Sequence, residues 1–212
     1  MVFRYPPFLE ITMSVNSATP TGSAGPTFTG VGPTVSNIVS GVHLNCRFDL
    51  KHLARSARNA IYNPKRFPAC IIRIREPKAT VLVFEQGKMQ VLGTKSVDDA
   101  RLAARKFARM LQKLGYQPRL SGFEVQNMVG NADTKLVIRL EGLRAAHFQF
   151  TVYEPEIFPG LIYSISRPAP LRPLKLLIFT KGKIVFLGAR KKEDMDDALR
   201  KIWPVLLQFR RE

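Results

Sequence analysis

The chain repeats itself at an interval of about 90 residues, and this repeat limits the fold more than any other feature of the sequence. SNIVS at 36–40 returns as QNMVG at 126–130, and YNPKRFP at 62–68 returns as YEPEIFP at 153–159. LVFEQGKMQVLG at 82–93 returns as LIFTKGKIVFLG at 177–188. An interval this long does not suit a solenoid, so it predicts a duplicated domain with a pseudo-two-fold axis.

The repeat also predicts the domain boundaries. We place the first repeat at 35–122 and the second at 123–212. Residues 1–34 are rich in Ser, Thr, Gly and Pro and lack periodicity, so we expect a disordered tail. The offset between repeats grows from 91 at Phe67 and Phe158 to 95 at Phe84 and Phe179. The four extra residues fall in the proline-rich 166–175, where we expect a loop in place of the tight REPK at 75–78.

Helical and strand periodicities alternate within each repeat. The spacing predicts a helix over 49–60 capped by Asp49, a long helix after Ser96, and a helix over 193–209 that Pro204 should kink or interrupt. The β-rich runs ACIIRIR, TVLVF and KMQVLG lie between the helices, the last after a hairpin turn. The fold class is therefore α+β: two repeats form one curved antiparallel sheet of about ten strands, with helices on one face only.

A sheet covered on one side leaves its other face to be explained. Alternation puts Val81, Val83, Met89 and Val91 on one side of the first repeat. The other side mixes large apolar residues with lysines near the turns, namely Leu82, Phe84, Lys88, Gln90 and Leu92, matched by Leu177, Phe179, Lys183, Val185 and Leu187. Apolar residues on both faces also suit a doubly covered core strand, but basic residues on the same face argue against full burial. An apolar strip rimmed by positive charge is typical of a binding surface.

Charge indicates what that surface binds. The net charge is +17, and residues 1–34 contribute none of it, because they hold only Arg4 and Glu10. This balance favours nucleic acid, ahead of an acidic membrane. Cys46 and Cys70 lie in apolar stretches without a CxxC motif, so we interpret them as reduced core residues of an intracellular protein. The scattered histidines give no metal site, no cofactor motif occurs, and neither a membrane span nor a signal peptide is predicted.

The DNA minor groove suits an apolar strip with a basic rim. Its floor offers mainly hydrogen-bond acceptors, its walls are sugar and phosphate, and apolar side chains can wedge between base steps. Any one phenylalanine is more often a core residue. The recurrence of Phe67 with Phe84 as Phe158 with Phe179 favours two pairs of wedges instead.

The motifs of this chain resemble those of a known protein family. From about residue 34 to the C terminus the chain resembles the TATA-box-binding protein family, through NPKRF, RIREP, RLAARK, LQKLG, FEVQNMVG, IRLEGL, YEPEIFPGLIY and the two GK hairpins. The resemblance implies a saddle whose concave sheet rides the minor groove with the helices on its convex face. The phenylalanine pairs are then the intercalating side chains, and Asn37 and Asn127 are paired amides that bond base acceptors.

The remaining contacts are also carried over by resemblance. Matching positions for groove contacts are Val39, Val129, Leu82, Leu177, Val185, Pro68 and Pro159. Matching positions for phosphate contacts are Arg66, Arg73, Lys88 and Lys183, although each could equally be a solvated charge. Three groove positions depart from the family: Leu92 and Leu187 stand where a threonine is usual, and Gln90 stands where a valine is usual. Ser164 replaces an expected arginine. These departures predict weaker discrimination of a strict TATA element.

The resemblance implies protein partners as well. A basic row on the first long helix, Arg101, Arg105, Arg109 and Lys113, would meet transcription factor IIA on the convex side, although it could also be a solvated face. Glu154 and Glu156 would contact transcription factor IIB, and TATA-box-binding-protein-associated factors are further expected partners. We expect action in the nucleus and homodimerisation of the free protein through its apolar saddle.

Two functions stay open on the sequence. The first is a non-enzymatic initiation factor that kinks AT-rich promoter DNA. The second is a protein-interaction scaffold of the same fold with weak or altered DNA specificity. Retention of all four phenylalanines and both asparagines favours the first. An enzyme is disfavoured, because no catalytic cluster recurs.

Overall fold

The computed structural model describes residues 32–211, which form a ten-stranded sheet and four helices. In chain order the elements are β1 (Thr34–His43), α1 (Leu50–Ser56), β2 (Ala60–Ile61), β3 (Ala69–Ile74), β4 (Ala79–Phe84), β5 (Lys88–Thr94), α2 (Val97–Lys113), β6 (Ser121–Asp133), α3 (Leu140–Ala146), β7 (Thr151–Val152), β8 (Leu161–Ile165), β9 (Leu174–Ile178), β10 (Lys183–Ala189) and α4 (Lys192–Gln208). The strand order is β2-β3-β4-β5-β1-β6-β10-β9-β8-β7, with every neighbouring pair antiparallel. The order is the same from either edge once the repeats are exchanged, which places the pseudo-two-fold axis between β1 and β6.

The helices all lie on one side of this curved sheet. Most of the buried residues of α1 and α2 join a core with Val81, Val83, Met89 and Val91 of the first repeat. Those of α3 and α4 join a second core with Leu174, Leu176, Ile178, Ile184 and Phe186. The two cores interlock through β1, which gives Ile38 to the second core and Val42 to the first, and Leu44, directly after the strand, also joins the first core. The predicted fold class and the predicted core side of the strands are confirmed.

The helix boundaries differ in places from the prediction. Asp49 caps α1 by accepting from the backbone N–H groups of Lys51 and His52, as expected. However, α1 ends at Ser56 rather than at residue 60, because Ala60 pairs with β3 as part of β2. Pro204 does not interrupt α4, which runs on to Gln208. The apolar face continues past the proline, so the packing of Ile202 and Leu206 holds the last turn.

The predicted tail and repeat boundaries meet the structure at two points. The chain enters β1 at Thr34, one residue inside the predicted tail, because Thr34 pairs with Asn131 of β6. Residues 1–31 of that tail lie outside the described residues. At the other boundary, β6 begins at Ser121, so it includes the last two residues that we assigned to the first repeat. The division into repeats stays a prediction.

Both GK hairpins need glycine at their turns. Gly87 and Gly182 have φ of +85° and +78°, in the left-handed region that side chains disfavour. A Cβ at Gly87 would also overlap the carbonyl oxygen of Cys46, and one at Gly182 that of Leu136. The two turns therefore place β5 and β10 equivalently. Each turn follows a phenylalanine, Phe84 or Phe179, and leads into a strand that begins with a lysine.

Arg167 ties the proline-rich insertion to the second repeat. Its guanidinium donates to the Asp194 carboxylate (3.2 Å), to the carbonyl oxygen of Gly188 (2.8 Å) and to that of Arg172 (2.9 Å). The Arg167 side chain is only 12% exposed. Asp194 in turn accepts from the backbone N–H groups of Arg190 and Lys191 at the start of α4. One arginine thus joins the loop, the end of β10 and the first turn of α4.

We predict that Arg167→Ala lowers the free energy of unfolding by about 1–3 kcal/mol, because it leaves partly buried acceptors on Asp194 and Gly188 without their donor. Chemical denaturation monitored by circular dichroism measures the change. Arg172→Ala is the matched control, since that side chain is exposed, and it should change stability by less than about 0.5 kcal/mol. Equal effects of the two substitutions would contradict the role of Arg167 as a clamp.

Candidate nucleic-acid interface

The side of the sheet opposite the helices, which we call the open face, carries the predicted groove contacts. Within residues 32–211 no helix packs against it, since each of the four helices packs into one of the two cores on the other side of the sheet. Its side chains are half-buried where their sequence neighbours are fully buried. The structure brings together here Asn37, Val39, Leu82, Gln90, Leu92, Asn127, Val129, Leu177, Val185 and Leu187. The open face is thus a continuous, largely apolar strip.

Two phenylalanine pairs stand at its ends in matching geometry. The ring centroids of Phe67 and Phe84 lie 6.1 Å apart at an interplanar angle of 61°. Those of Phe158 and Phe179 lie 5.9 Å apart at 66°. The outer rings are the more accessible, with Phe67 39% and Phe158 37% exposed. Each pair is an edge-to-face unit that keeps part of an aromatic surface in solvent.

Local structure holds each outer ring in place. A one-turn loop precedes it, in which the N–H of Phe67 donates to the carbonyl of Asn63 (3.0 Å) and that of Phe158 to the carbonyl of Glu154 (2.9 Å). Pro68 and Pro159 follow directly and are exposed. In the second repeat the backbone then passes so close to the rings that a Cβ at Gly160 would overlap the Phe158 ring. The loop backbone therefore helps to hold each outer ring against its partner ring.

The two asparagines are held in one orientation near the pseudo-two-fold axis. The N–H of Gly93 donates to Asn37 Oδ1 at 2.8 Å, and the N–H of Gly188 donates to Asn127 Oδ1 at 3.0 Å. Both glycines have a positive φ, 91° and 92°, which only glycine adopts without strain. Because each amide oxygen is occupied, the Nδ2 groups remain as hydrogen-bond donors. Gly188 is also the residue whose carbonyl Arg167 binds, so the insertion supports Asn127 from behind.

Basic side chains border the strip. The predicted phosphate contacts Arg66, Arg73, Lys88 and Lys183 are all exposed. Arg73 lies on β3 opposite Thr80 of β4. At the equivalent place in the second repeat, Ser164 of β8 lies opposite Lys175 of β9. The basic residue and the hydroxyl residue have therefore exchanged strands between the two repeats.

Sequence reasoning missed Lys175 and Gln126. Lys175 falls between the buried Leu174 and Leu176, so alternation alone would have placed it on the open face. It was overlooked because it ends the loop segment 166–175. Gln126 could not have been found by alternation, because it occupies a β-bulge: Val39 pairs with Asn127, and the next residue, Ser40, pairs with Val125. The bulge turns Gln126 toward Gln90, whose Nε2 donates to Gln126 Oε1 at 3.0 Å.

The predicted protein-contact residues lie on α2 and in the loop before Phe158. Arg101, Arg105, Arg109 and Lys113 are exposed along α2, and the Arg101 guanidinium lies 4.7 Å from the centroid of the Phe123 ring. Glu154 and Glu156 are exposed in the loop before Phe158, next to Ile157, which is 80% exposed. The structure gives each of these side chains access to a partner. Their roles stay predictions.

The described part of the chain offers little reactive chemistry. Both cysteines are free, and burial raises the pKa of Cys70 to about 11, so its thiol is a packing group rather than a nucleophile. Among residues 32–211 no three His, Cys, Asp or Glu side chains are grouped to hold a metal, and no helix there is long and apolar enough to cross a bilayer. The open face provides hydrogen-bond donors, apolar surface and positive charge.

Comparison with known proteins gives one consistent result. The family model described as transcription factor TFIID, or TATA-binding protein, matches residues 32–114 and 122–209. The chain is 55% identical over 182 residues to the TATA-box-binding protein of Candida albicans, which covers 86% of this chain and 75% of that protein. It is 53% identical to the Saccharomyces cerevisiae protein of the same name, covering 86% of this chain and 74% of that protein.

A solved structure agrees with the fold. The TBP of Methanococcus jannaschii superposes with a TM-score of 0.72 at 32% identity, covering 84% of this chain and 99% of that one. The fold therefore has a counterpart in this solved structure. On these grounds the chain belongs to the TATA-box-binding protein family.

Proposed function

We propose that this protein is a transcription initiation factor that binds AT-rich promoter DNA in the minor groove and kinks it at two places. The observation that supports this most is the pair of equivalent edge-to-face phenylalanine units at the two ends of one apolar strip. The proteins that it resembles are named for binding the TATA box. It acts by binding and not as an enzyme.

Each part of the open face has a separate task in this proposal. Phe67 with Phe84 and Phe158 with Phe179 enter base steps and unstack them, and the widened groove then meets the apolar strip. Asn37 and Asn127 donate to acceptors on the bases, because their own oxygens are held by backbone N–H groups. The basic rim neutralises phosphates along both walls. Wedges and apolar contact set the bend, while the charges supply most of the affinity.

The other surfaces serve assembly. Arg101, Arg105, Arg109 and Lys113 present a positive face that suits transcription factor IIA, and the loop with Glu154 and Glu156 suits transcription factor IIB. TATA-box-binding-protein-associated factors are further partners of the same kind, and the site of action is the nucleus. Without DNA, two copies would cover their apolar strips by forming a homodimer.

We predict that Phe179→Ala weakens binding to an AT-rich duplex roughly tenfold to a hundredfold, the equivalent of about 1–3 kcal/mol for one stacked aromatic ring. It should also reduce the bend, measured by energy transfer between dyes at the duplex ends. The matched control is Phe148→Ala, because Phe148 is 68% exposed and lies outside both pairs. Unchanged affinity and bend for Phe179→Ala would refute the wedge mechanism. Absence of binding by the unaltered chain would favour the scaffold function instead.

We predict that Leu92→Thr combined with Leu187→Thr increases the preference for a TATA element over other AT-rich duplexes by roughly fivefold to tenfold. Each threonine adds a hydroxyl donor next to Gly93 or Gly188, where the floor is now apolar. Competition binding with paired duplexes measures the preference. Leu102→Thr, at an exposed position on α2, is the control. No gain in preference would contradict our account of the two leucines.

We predict that Lys175→Ala reduces the slope of log affinity against log salt concentration by about 1, the loss expected for one phosphate contact. The double substitution Lys175→Val with Ser164→Arg should restore the slope, because it returns the charge to the opposite strand. Lys192→Ala is the control, since Lys192 begins α4 on the other side of the sheet. If Lys175→Ala leaves the slope unchanged, Lys175 does not contact phosphate.

A further inference from the structure

We propose that Gln90, held by Gln126 across Gly41, reads guanine in the minor groove and gives the first-repeat half of the open face a preferred place for one G·C pair. This inference rests on the proposed minor-groove binding. It concerns the chemistry of one half of that site, which the resemblance to the family leaves unassigned because a valine is usual at position 90.

Three residues build this group together. Gln90 of β5 pairs with Gly41 of β1, and Gln126 reaches over Gly41 from β6 to accept from Gln90 Nε2 at 3.0 Å. A Cβ at Gly41 would overlap the amide of Gln126, with only 3.0 Å to its Cδ atom. The missing side chain at position 41 therefore gives room for the glutamine pair. Both glutamines are half-buried, so their amides are held at the surface rather than free in solvent.

The pair leaves one carbonyl oxygen available to a ligand. Two primary amides joined by a single hydrogen bond use one oxygen and keep the other. Here Gln126 Oε1 is the oxygen in use, and within residues 32–211 no donor reaches Gln90 Oε1. The asparagines differ in this respect, because backbone N–H groups occupy their oxygens. Gln90 therefore provides a hydrogen-bond acceptor on an open face whose amide side chains otherwise offer donors.

The minor groove has one partner for such an acceptor. A·T pairs present only acceptors there, whereas a G·C pair adds the exocyclic N2 amine of guanine as a donor. Against an apolar side chain that amine would lose its water without gaining a partner, which costs about 1–3 kcal/mol. Against Gln90 Oε1 it is satisfied. With glutamine in place of the usual valine at position 90, this place on the sheet changes from one that rejects guanine to one that accepts it.

The second half of the face lacks the arrangement. Val185 occupies the position equivalent to Gln90, and it pairs with Asn131, which occupies the position equivalent to Gly41. Ser36 stands in the bulge of β1 where Gln126 stands in that of β6, and its hydroxyl donates to the carbonyl of Val129. Asn131 Oδ1 accepts from the hydroxyl of Thr34 at 2.9 Å. The available amide acceptor therefore occurs in the first-repeat half only, so it also gives the protein a preferred orientation on the duplex.

Inosine provides a direct test, because an inosine·cytosine pair lacks the N2 amine and is otherwise close to G·C. Binding is measured on an all-A·T duplex, on duplexes with one G·C pair moved step by step through the site, and on the same set with inosine. We expect the unaltered protein to bind the guanine duplex roughly fivefold to tenfold more tightly than the inosine duplex at one step under the first repeat. Gln90→Val should bring that ratio to 1 or below, because the guanine amine then meets an apolar side chain without a hydrogen-bond partner.

The ratio is taken on one protein at a time, so partial loss of folding cannot imitate the result. Gln126→Ser should reduce the ratio without removing it, and Gln112→Val, at an exposed position on α2, should leave it unchanged. Equal binding of guanine and inosine at every step would overturn the proposal. So would a ratio that survives Gln90→Val, which would reflect duplex stiffness instead. Failure to bind even the all-A·T duplex would instead refute the proposed function on which the inference depends.

Discussion

The antiparallel pairing of β1 with β6 is the interaction on which the rest of the structure depends. It joins two five-stranded halves into one sheet, and its register places Val39 beside Asn127 and Asn37 beside Val129. Because Ile38 of β1 belongs to the second core and Phe123 of β6 packs against the first, neither half has a complete core without the other. The pairing therefore fixes the spacing between the phenylalanine pairs and brings both asparagines to the centre of the open face.

One-sided cover of the sheet has a physical cost that a ligand would offset. Half-buried valines and leucines on the open face keep apolar area in water, and each square ångström costs about 25 cal/mol. A nucleic acid that covers the strip recovers this energy and meets the positive rim at the same time. The apolar strip and the basic residues along its border are thus complementary features of one site. Either feature alone would suit many partners, whereas together they suit the minor groove, whose walls are sugar and phosphate.

Most of the fold and much of the site could be predicted from the sequence, because both follow from periodicity. Alternation separated Val81, Val83, Met89 and Val91 from the open-face residues, and the repeat identified both phenylalanine pairs. What could not be predicted lies where local geometry departs from a regular strand. A bulge turns Gln126 to the open face, and a tertiary contact with β3 draws Ala60 out of the helix. The helix α3 could have been predicted from the repeat, since Leu140 and Leu143 repeat the buried positions of Leu50 and Leu53.

The two halves are equal in shape and unequal in chemistry, and this difference bears on how a symmetric fold could treat an asymmetric duplex. The wedges agree to within 0.2 Å in ring separation, so they give no reason to prefer one orientation. The side chains between them do: Gln90 in the first half corresponds to Val185 in the second, and the pair Arg73 and Thr80 corresponds to the pair Ser164 and Lys175. A difference of about 1.4 kcal/mol between orientations gives a tenfold preference. One or two hydrogen bonds are sufficient for that, so direction can be set by a few surface residues while the backbone keeps its two-fold form.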